Sequence, residues 1–483
     1  DDAIWSDDGY SSGGPQGISD GSRLAPATSA DWVNNYKFIR RCNSILEKSG
    51  LVTGNAADAD RYKGEAYFFR AWVYFEMVKR FGDVPLILRT FDVDDTLAQA
   101  HRTNREQVLD TAYADLDFAI AHLPAAPLPA AEYGRITKGA AQARKVRSGR
   151  GEGIGNKFHQ QGDATRHLQI AVAASDPIIK YVIYSLFRYG PKPDSSYFQL
   201  FQAAGDGAGN TESILVRLYG ENLTNSIASH NYVRARWGGS VTPTRTLMDA
   251  YLYTDGLPIE KSPYAKPQLN TLTEFEHRDP RMDMTVFNKT HWFLNGPYQP
   301  TFQNSPTGYK SRKFFVAEDW EINQSYVDNI IIRYGEILLI YAEATYELNG
   351  NITDADLSRS INLLRKRVNM PDLTNGFVTA NGLNMREEIR RERRIELALE
   401  GDFRYWDLRR WKTAETALGQ AVLGAKYFED EQQGITNPQL TPEGFVIVQA
   451  AAKRKFDPER DYLWPLGIQD LGLDENLEQN QKW

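Results

Sequence analysis

Apolar residues recur at helical spacing in two blocks of this chain, and between the blocks the period is lost. Tyr62, Ala66, Phe69, Val73 and Met77 follow at intervals of four, three, four and four, the stripe of an α-helix. Phe68, Trp72 and Phe75 occupy a second face, so the spacing predicts a helix buried on two sides, ended by Gly82 with Pro85 beyond. Trp32, Tyr36, Ile39, Ile45 and Leu46 predict an earlier helix over 29–48. Thr103 and Glu106 read as a capping box ahead of Leu109, Ala112, Leu116, Ile120 and Leu123, a run closed by Pro124. A Pro/Ala linker follows at 124–131, and a further helix is expected over 163–182.

From 183 to 325 turn signals multiply: Gly190-Pro191, Gly205-Asp206-Gly207, Gly238-Gly239, Asp255-Gly256 and Asn295-Gly296-Pro297. This stretch is expected to hold irregular structure, short helices and a few strands. Residues 1–28, rich in Asp, Ser and Gly, read as loop. The helical period returns with Tyr334, Leu338, Tyr341, Thr345 and Leu348. Asn349-Gly350-Asn351 makes a turn, Thr353 caps a helix carrying Leu357, Ile361, Leu364 and Val368, and Pro371 stops it. Asn384 and Glu387 start another helix reaching Gly401, and Asp402 one more reaching Trp411. Helices joined by short turns are helical hairpins, and several of them predict a helical-repeat superhelix.

Composition narrows the function classes. The chain has 483 residues, 41% hydrophobic and 25% charged, an ordinary globular balance. A net charge of −7 lacks the basic footprint of a nucleic-acid binder. The basic-looking run from Arg386 to Arg410 holds eight arginines against seven carboxylates, so it reads as an ion-pair lattice. Cys42 is the single cysteine, which excludes an internal disulfide and a Cys-based zinc site. No run approaches the ~18 apolar residues of a membrane span. The opening Asp1-Asp2-Ala3-Ile4-Trp5 has no signal-peptide character, as a mature or truncated chain would also show.

Three ordered segments carry a resemblance. They are Gly64-Glu65-Ala66-Tyr67-Phe68-Phe69-Arg70-Ala71 running on to Arg80-Phe81-Gly82-Asp83-Val84-Pro85-Leu86; Arg333-Tyr334-Gly335-Glu336-Ile337-Leu338-Leu339-Ile340-Tyr341-Ala342-Glu343-Ala344; and Arg391-Glu392-Arg393-Arg394-Ile395-Glu396-Leu397 through Glu400-Gly401 to Tyr405-Trp406-Asp407-Leu408-Arg409-Arg410-Trp411. Weaker matches at Gly134 to Ala141, Arg278 to Arg281 and Gln479-Asn480 fill the gaps. In this order and spacing the chain resembles the SusD/RagB family of outer-membrane nutrient-binding lipoproteins of Bacteroidetes. The resemblance implies a mainly α protein, a superhelix of four TPR-type helical hairpins with a large irregular portion packed on it. It implies a single domain over 1–483, with the scaffold mainly at 29–182 and 326–411. The ligand-binding portion would lie mainly at 183–325, with the N-terminal loop 1–28 and the C-terminal segment 412–483. Family members are not enzymes and need no cofactor. They capture oligosaccharide, or in some cases peptide, at the cell surface and pass it to a SusC-like TonB-dependent transporter of the outer membrane. They are tethered there by an N-terminal lipid anchor, which is not part of this chain. One departure matters: residues 142–157 are Gly- and Arg-rich where the family has a long apolar helix, which leaves the local structure there open.

Candidate chemistry is sparse outside the aromatics. Gly17-Ile18-Ser19-Asp20-Gly21 has the nucleophile-elbow spacing, but Gly13-Gly14-Pro15 precedes it where a buried strand is required. The seven histidines form no close metal-binding pair. A glycosidase needs two carboxyls roughly 5–9.5 Å apart, and the sequence carries no local signature of such a pair. Trp72, Trp406 and Trp411 lie in helix motifs and read as core. Trp5, Tyr10, Trp237, Trp292, Tyr298 and Trp320 lie in polar, turn-rich sequence. A sugar ring offers an apolar C–H face to an aromatic platform and a polar rim to neighbouring side chains, so these six are the candidate ligand-binding residues, led by Trp292 and Trp320. The readings left open are peptide capture, a glycoside hydrolase and a purely structural scaffold.

Overall fold

The apolar stripes of the first block are helices in the structure, a computed structural model that describes residues 2–92, 94–180, 183–220 and 229–483. They are α1 (Ala30–Lys48), α2 (Ala56–Phe81), α3 (Arg105–His122), α4 (Lys138–His159) and α5 (Ala164–Lys180), and they belong to a unit formed by Arg23–Ile183 with Asp457–Trp483. The helix expected over 163–182 ends at Lys180; 181 and 182 lie outside the described residues. Ser29 caps α1 by accepting the Trp32 N–H, and Gly82, at φ 76°, ends α2. Successive helices pack as antiparallel neighbours, α1 on α2, α2 on α3 and α4 on α5. Arg70 of α2 donates to both oxygens of Asp115 on α3 at 2.8 Å and to Asn43 of α1 at 2.9 Å, a buried pairing that ties three helices together.

One reading in this unit is corrected, and one stretch left open takes a definite form. The cap of α3 is Asn104, which accepts the Glu106 N–H at 2.9 Å. Thr103 pairs instead with Val84, its N–H donating to the Val84 carbonyl at 3.1 Å. The Glu106 carboxylate, free of the capping box, accepts from His167 of α5 at 2.9 Å and from Arg166 at 2.7 Å. The Gly/Arg-rich stretch 142–157 is helical, the body of α4. A Cβ at Gly149 would stand 2.9 Å from the His167 carbonyl oxygen and the Ala171 nitrogen, and one at Gly153 would stand 2.8 Å from the Leu168 nitrogen. The glycines lie one helical turn apart and let α4 meet the backbone of α5. Its arginines are also accommodated: the Arg144 guanidinium lies 4.1 Å from the Trp72 ring centre and 3.2 Å from Glu76.

The second unit comprises Asp1–Ser22 and Tyr184–Phe456. Its strands are short antiparallel pairs: β1 (Gly9–Tyr10) with β3 (Thr242–Pro243), β2 (Ser213–Arg217) with β6 (Asn329–Arg333), β4 (Trp292–Phe293) with β5 (Gly296–Pro297), and β7 (Val422–Lys426) with β8 (Phe445–Gln449). Between 183 and 325 no helix among the described residues exceeds six residues; those used below are α6 (Tyr232–Trp237), α7 (Pro280–Thr285) and α8 (Ala317–Ile322). This irregular stretch supplies much of the unit's apolar core, including Tyr197, Leu200, Phe201, Leu247, Met248, Tyr251, Met282 and Val286. The second helical block follows with α9 (Tyr334–Asn349), α10 (Asp354–Ser358), α11 (Ile361–Arg367), α12 (Met385–Glu396) and α13 (Phe403–Arg410). The single helix expected over 353–368 is broken at Ser360, which takes φ −134° and ψ −99°, outside the helical region, while its hydroxyl donates to the Asp356 carbonyl at 2.5 Å. α12 stops at Glu396 rather than Gly401, and Leu399 turns to φ 61°.

The interleaved charges after 386 are part of a buried lattice. Glu392, Glu396 and Glu400 recur every four residues from α12 onward. Glu392 pairs with Arg281 (2.6 Å) and Arg365 (2.7 Å), Glu396 with Arg281 (3.0 Å), Arg333 (2.8 Å) and Arg367, and Glu400 with Arg333 (2.7 Å) and Lys313 (2.6 Å). Glu212 completes it, bonding Arg333 at 2.8 Å and Arg367 at 2.9 Å. The N-terminal segment, read as loop, joins the same chemistry. Asp7 accepts from Arg404 at 2.8 Å and Asp8 from Arg394 at 2.7 Å, while β1 adds to β3.

Candidate functional site

Three of the six candidate aromatics meet in one cluster. Trp237 closes α6 and stacks on Phe293 of β4, ring centres 3.8 Å apart and planes 11° from parallel. The Lys310 ammonium lies 4.8 Å from the same indole and donates to the carbonyls of Trp237 (2.6 Å) and Asn304 (3.0 Å). Burial pushes Lys310 down to about 8. Trp237 is thus held between a ring and a cation. Tyr298 is 3% exposed and stacks on Phe287 at 5.1 Å. Trp320 of α8 lies nearly perpendicular to Trp237 and Phe293, each 5.8 Å away, and carries the Arg234 guanidinium 4.9 Å from its ring centre. Phe315 fills the middle, 5.1 Å from Phe293 and 5.2 Å from Phe287.

Trp292 borders this cluster and differs from it. Neighbouring residues of a strand point to opposite faces, so β4 sends Phe293 into the cluster and Trp292 outward, 69% exposed. Its indole N–H donates to the Leu294 carbonyl at 2.6 Å, which fixes the ring while leaving its faces to solvent. Leu294 and Asn295 form the two-residue turn to β5, and Leu294 adopts φ 52° to make it. The turn before β4 is tied down as well: His291 accepts the Asn288 N–H at Nδ1 (3.0 Å) and its Nε2 lies 3.0 Å from Asp283 of α7.

Trp5 and Tyr10 do not join the cluster. Trp5 meets Tyr405 edge-on at 5.8 Å, and Tyr10 is 8% exposed, with its carbonyl accepting from the Thr242 hydroxyl. Both pack the N-terminal segment. Ser19 of the elbow-like pattern sits in a helical turn, and its hydroxyl donates to the Gln16 carbonyl at 3.0 Å. Phe287, Phe293, Phe315, Arg234, Lys310 and His291 also build this region, and none of them is among the sequence-based candidates. The turn signal Asn295-Gly296 directly after the aromatic pair Trp292-Phe293 was the signal available for Phe293.

The described helices include none long and apolar enough to cross a membrane. The SusD family model matches residues 205–483, and a second model, described as starch-binding and associating with the outer membrane, matches residues 18–147. Among solved structures, a SusD-like carbohydrate-binding protein of Bacteroides fragilis is 27% identical, with a TM-score of 0.79 over 98% of this chain and 91% of that one. A second SusD-like protein of the same organism is 26% identical, with a TM-score of 0.77 over 100% of this chain and 94% of that one. SusD-like protein P2 of Formosa agariphila is 26% identical over 472 residues, 94% of this chain and 80% of that protein. On the breadth of these matches, and with the mainly helical architecture they share, the chain belongs to the SusD family.

Proposed function

We propose that this protein captures oligosaccharide at the cell surface, without turning it over, and delivers it to a SusC-like TonB-dependent transporter in the outer membrane, where a lipid anchor tethers it. The observation that carries the reading is Trp292, an indole fixed by its own N–H yet open on its faces, raised on a shelf of packed aromatics. On the other face of the hairpin Phe293 packs with Phe315 and Trp320, and the Arg234 guanidinium lies over the Trp320 ring. Trp237 and Tyr298 support the shelf from beneath. The starch-binding description of the family and the carbohydrate-binding relative favour a glycan as ligand. Nearby carboxylates are occupied, Asp283 by Asn288 and His291 and Asp319 by the Ser325 hydroxyl, which fits binding rather than hydrolysis.

Isothermal titration against a panel of glycans, maltoheptaose included, and of peptides tests this. Aromatic stacking on nucleobases is worth ~1–3 kcal/mol per ring, and on that scale Trp292→Ala weakens glycan binding about 5- to 150-fold. Wild-type affinity in that variant, or binding of peptides alone, overturns the site or the ligand class. Product release from a bound glycan, abolished by one Asp or Glu substitution, overturns the non-enzymatic reading. Co-purification with a large barrel protein from membranes tests the partner.

A further inference from the structure

His291 stands one residue before the exposed indole, and its hydrogen bonds fix its proton. It is 9% exposed. Its Nδ1 faces the Asn288 backbone N–H at 3.0 Å. A backbone amide only donates, so Nδ1 is the acceptor and the ring proton sits on Nε2, which donates to Asp283 Oδ2 at 3.0 Å. The turn this creates is bonded throughout. The His291 N–H donates to the Asn288 carbonyl at 3.0 Å, and the His291 carbonyl accepts the Tyr298 N–H at 2.8 Å, across the base of the hairpin. The Asn288 side chain donates to Asp283 Oδ1 at 2.7 Å and accepts the Thr290 N–H at 2.9 Å. One imidazole therefore fastens the β4–β5 hairpin to α7.

We propose that neutral His291 is the positioning residue of the Trp292 platform, and that a second proton on its ring unfastens the hairpin and weakens ligand binding. This rests on the reading of Trp292 as the ligand platform. A proton on Nδ1 would set two donors against each other, the ring N–H and the Asn288 N–H, in a site nearly closed to water. The ring would keep Asp283 as an ion pair and lose the turn. The charged groups around it come from three sides: Asp283 of α7; Arg312, whose guanidinium lies 3.9 Å from Asp283; and Lys289 of the turn itself, paired with Glu431 at 2.9 Å. Against burial, the His291 hydrogen bond holds the Asp283 carboxyl below its ordinary range, so the carboxylate is ready to accept.

Hydrogen exchange of the ligand-free protein, corrected for intrinsic rates, decides the anchor at about pH 7.5 and about pH 5.5, a range over which histidines change charge. The expected result is exchange about tenfold faster over 292–298 at the lower pH, the scale of one lost hydrogen bond. His291→Asn keeps an acceptor near the Nδ1 position and cannot gain the proton, so it should hold the hairpin at both pH values. His291→Ala should exchange fast at both. Wild-type protection unchanged with pH, or a pH response retained in His291→Asn, overturns the proposal. Titration with maltoheptaose provides the second readout: its affinity should fall with pH in wild type and stay level in His291→Asn, and affinity that does not follow the exchange overturns the link to binding. If maltoheptaose binds none of the three proteins, the choice of this glycan fails, while exchange still decides the anchor.

Discussion

Trp237 and Trp292 are indoles in equally turn-rich sequence, and their surroundings give them different work. Trp237 has Phe293 stacked 3.8 Å from it and the Lys310 ammonium 4.8 Å away, so its removal opens a gap in the shelf. Trp237→Ala should cost about 2–3 kcal/mol of stability, less than the ~3–5 of a fully buried ring, read by denaturant unfolding. Trp292→Ala should leave the unfolding midpoint nearly unchanged and lower ligand affinity. Equal losses of stability in the two variants would argue against the division. Both residues are candidates for one reason, loop context, and that context does not say which way a ring points. Trp292 was legible as a candidate because the turn signal Asn295-Gly296-Pro297 stands beside it. Trp5 and Tyr10 carried the same kind of signal and pack elsewhere, because Arg394 and Arg404, almost four hundred residues away in sequence, hold the N-terminal segment against α12 and α13.

At the scale of elements, the long stripes were legible and their ends and breaks less so. α2 and α9 follow their spacing because apolar faces decide helices of that length. α4 was not legible, since each interior glycine costs roughly 1 kcal/mol relative to alanine and propensity argues against a helix there. Packing overrides it: Gly149 and Gly153 lie on the face that meets α5, while Gly151 and Gly155 face open space. The four glycines should therefore respond oppositely to alanine. Gly151→Ala and Gly155→Ala should each stabilise by up to about 1 kcal/mol. Gly149→Ala and Gly153→Ala should destabilise by about 1–3 kcal/mol, because a methyl group would meet backbone atoms of α5. Urea titrations of the four variants check this, and a uniform response would rule out the close crossing.

Beside its apolar core the second unit holds a buried charge lattice that the sequence displayed but did not locate. Eight arginines and seven carboxylates between 386 and 410 announced ion pairs, yet Arg281, Arg333 and Lys313, which face Glu392, Glu396 and Glu400, come from distant parts of the chain. Buried pairs are weak evidence of net stability, but breaking one strands the other charge. Burial works to raise Glu396, and Arg367, Arg333 and Arg281 overcome it, so its carboxyl lies far below the usual range; Glu392 and Glu400 are lowered in the same way. A carboxylate with a depressed folded value binds its proton less readily than in the unfolded chain. Its contribution is present in full above the ordinary glutamate value of about 4.3 and is lost as pH falls toward the folded values. Stability should thus hold on descending to about pH 5 and then drop steeply, faster than for a protein whose carboxylates are exposed. Glu396→Gln should cost about 3–5 kcal/mol at neutral pH, having left three arginines short of a partner. Because the variant lacks the most strongly depressed carboxyl, its stability should also fall less between about pH 5 and about pH 3 than that of the wild type. Denaturant unfolding at the three pH values measures both effects, and parallel losses in the two proteins would remove Glu396 from the acid response.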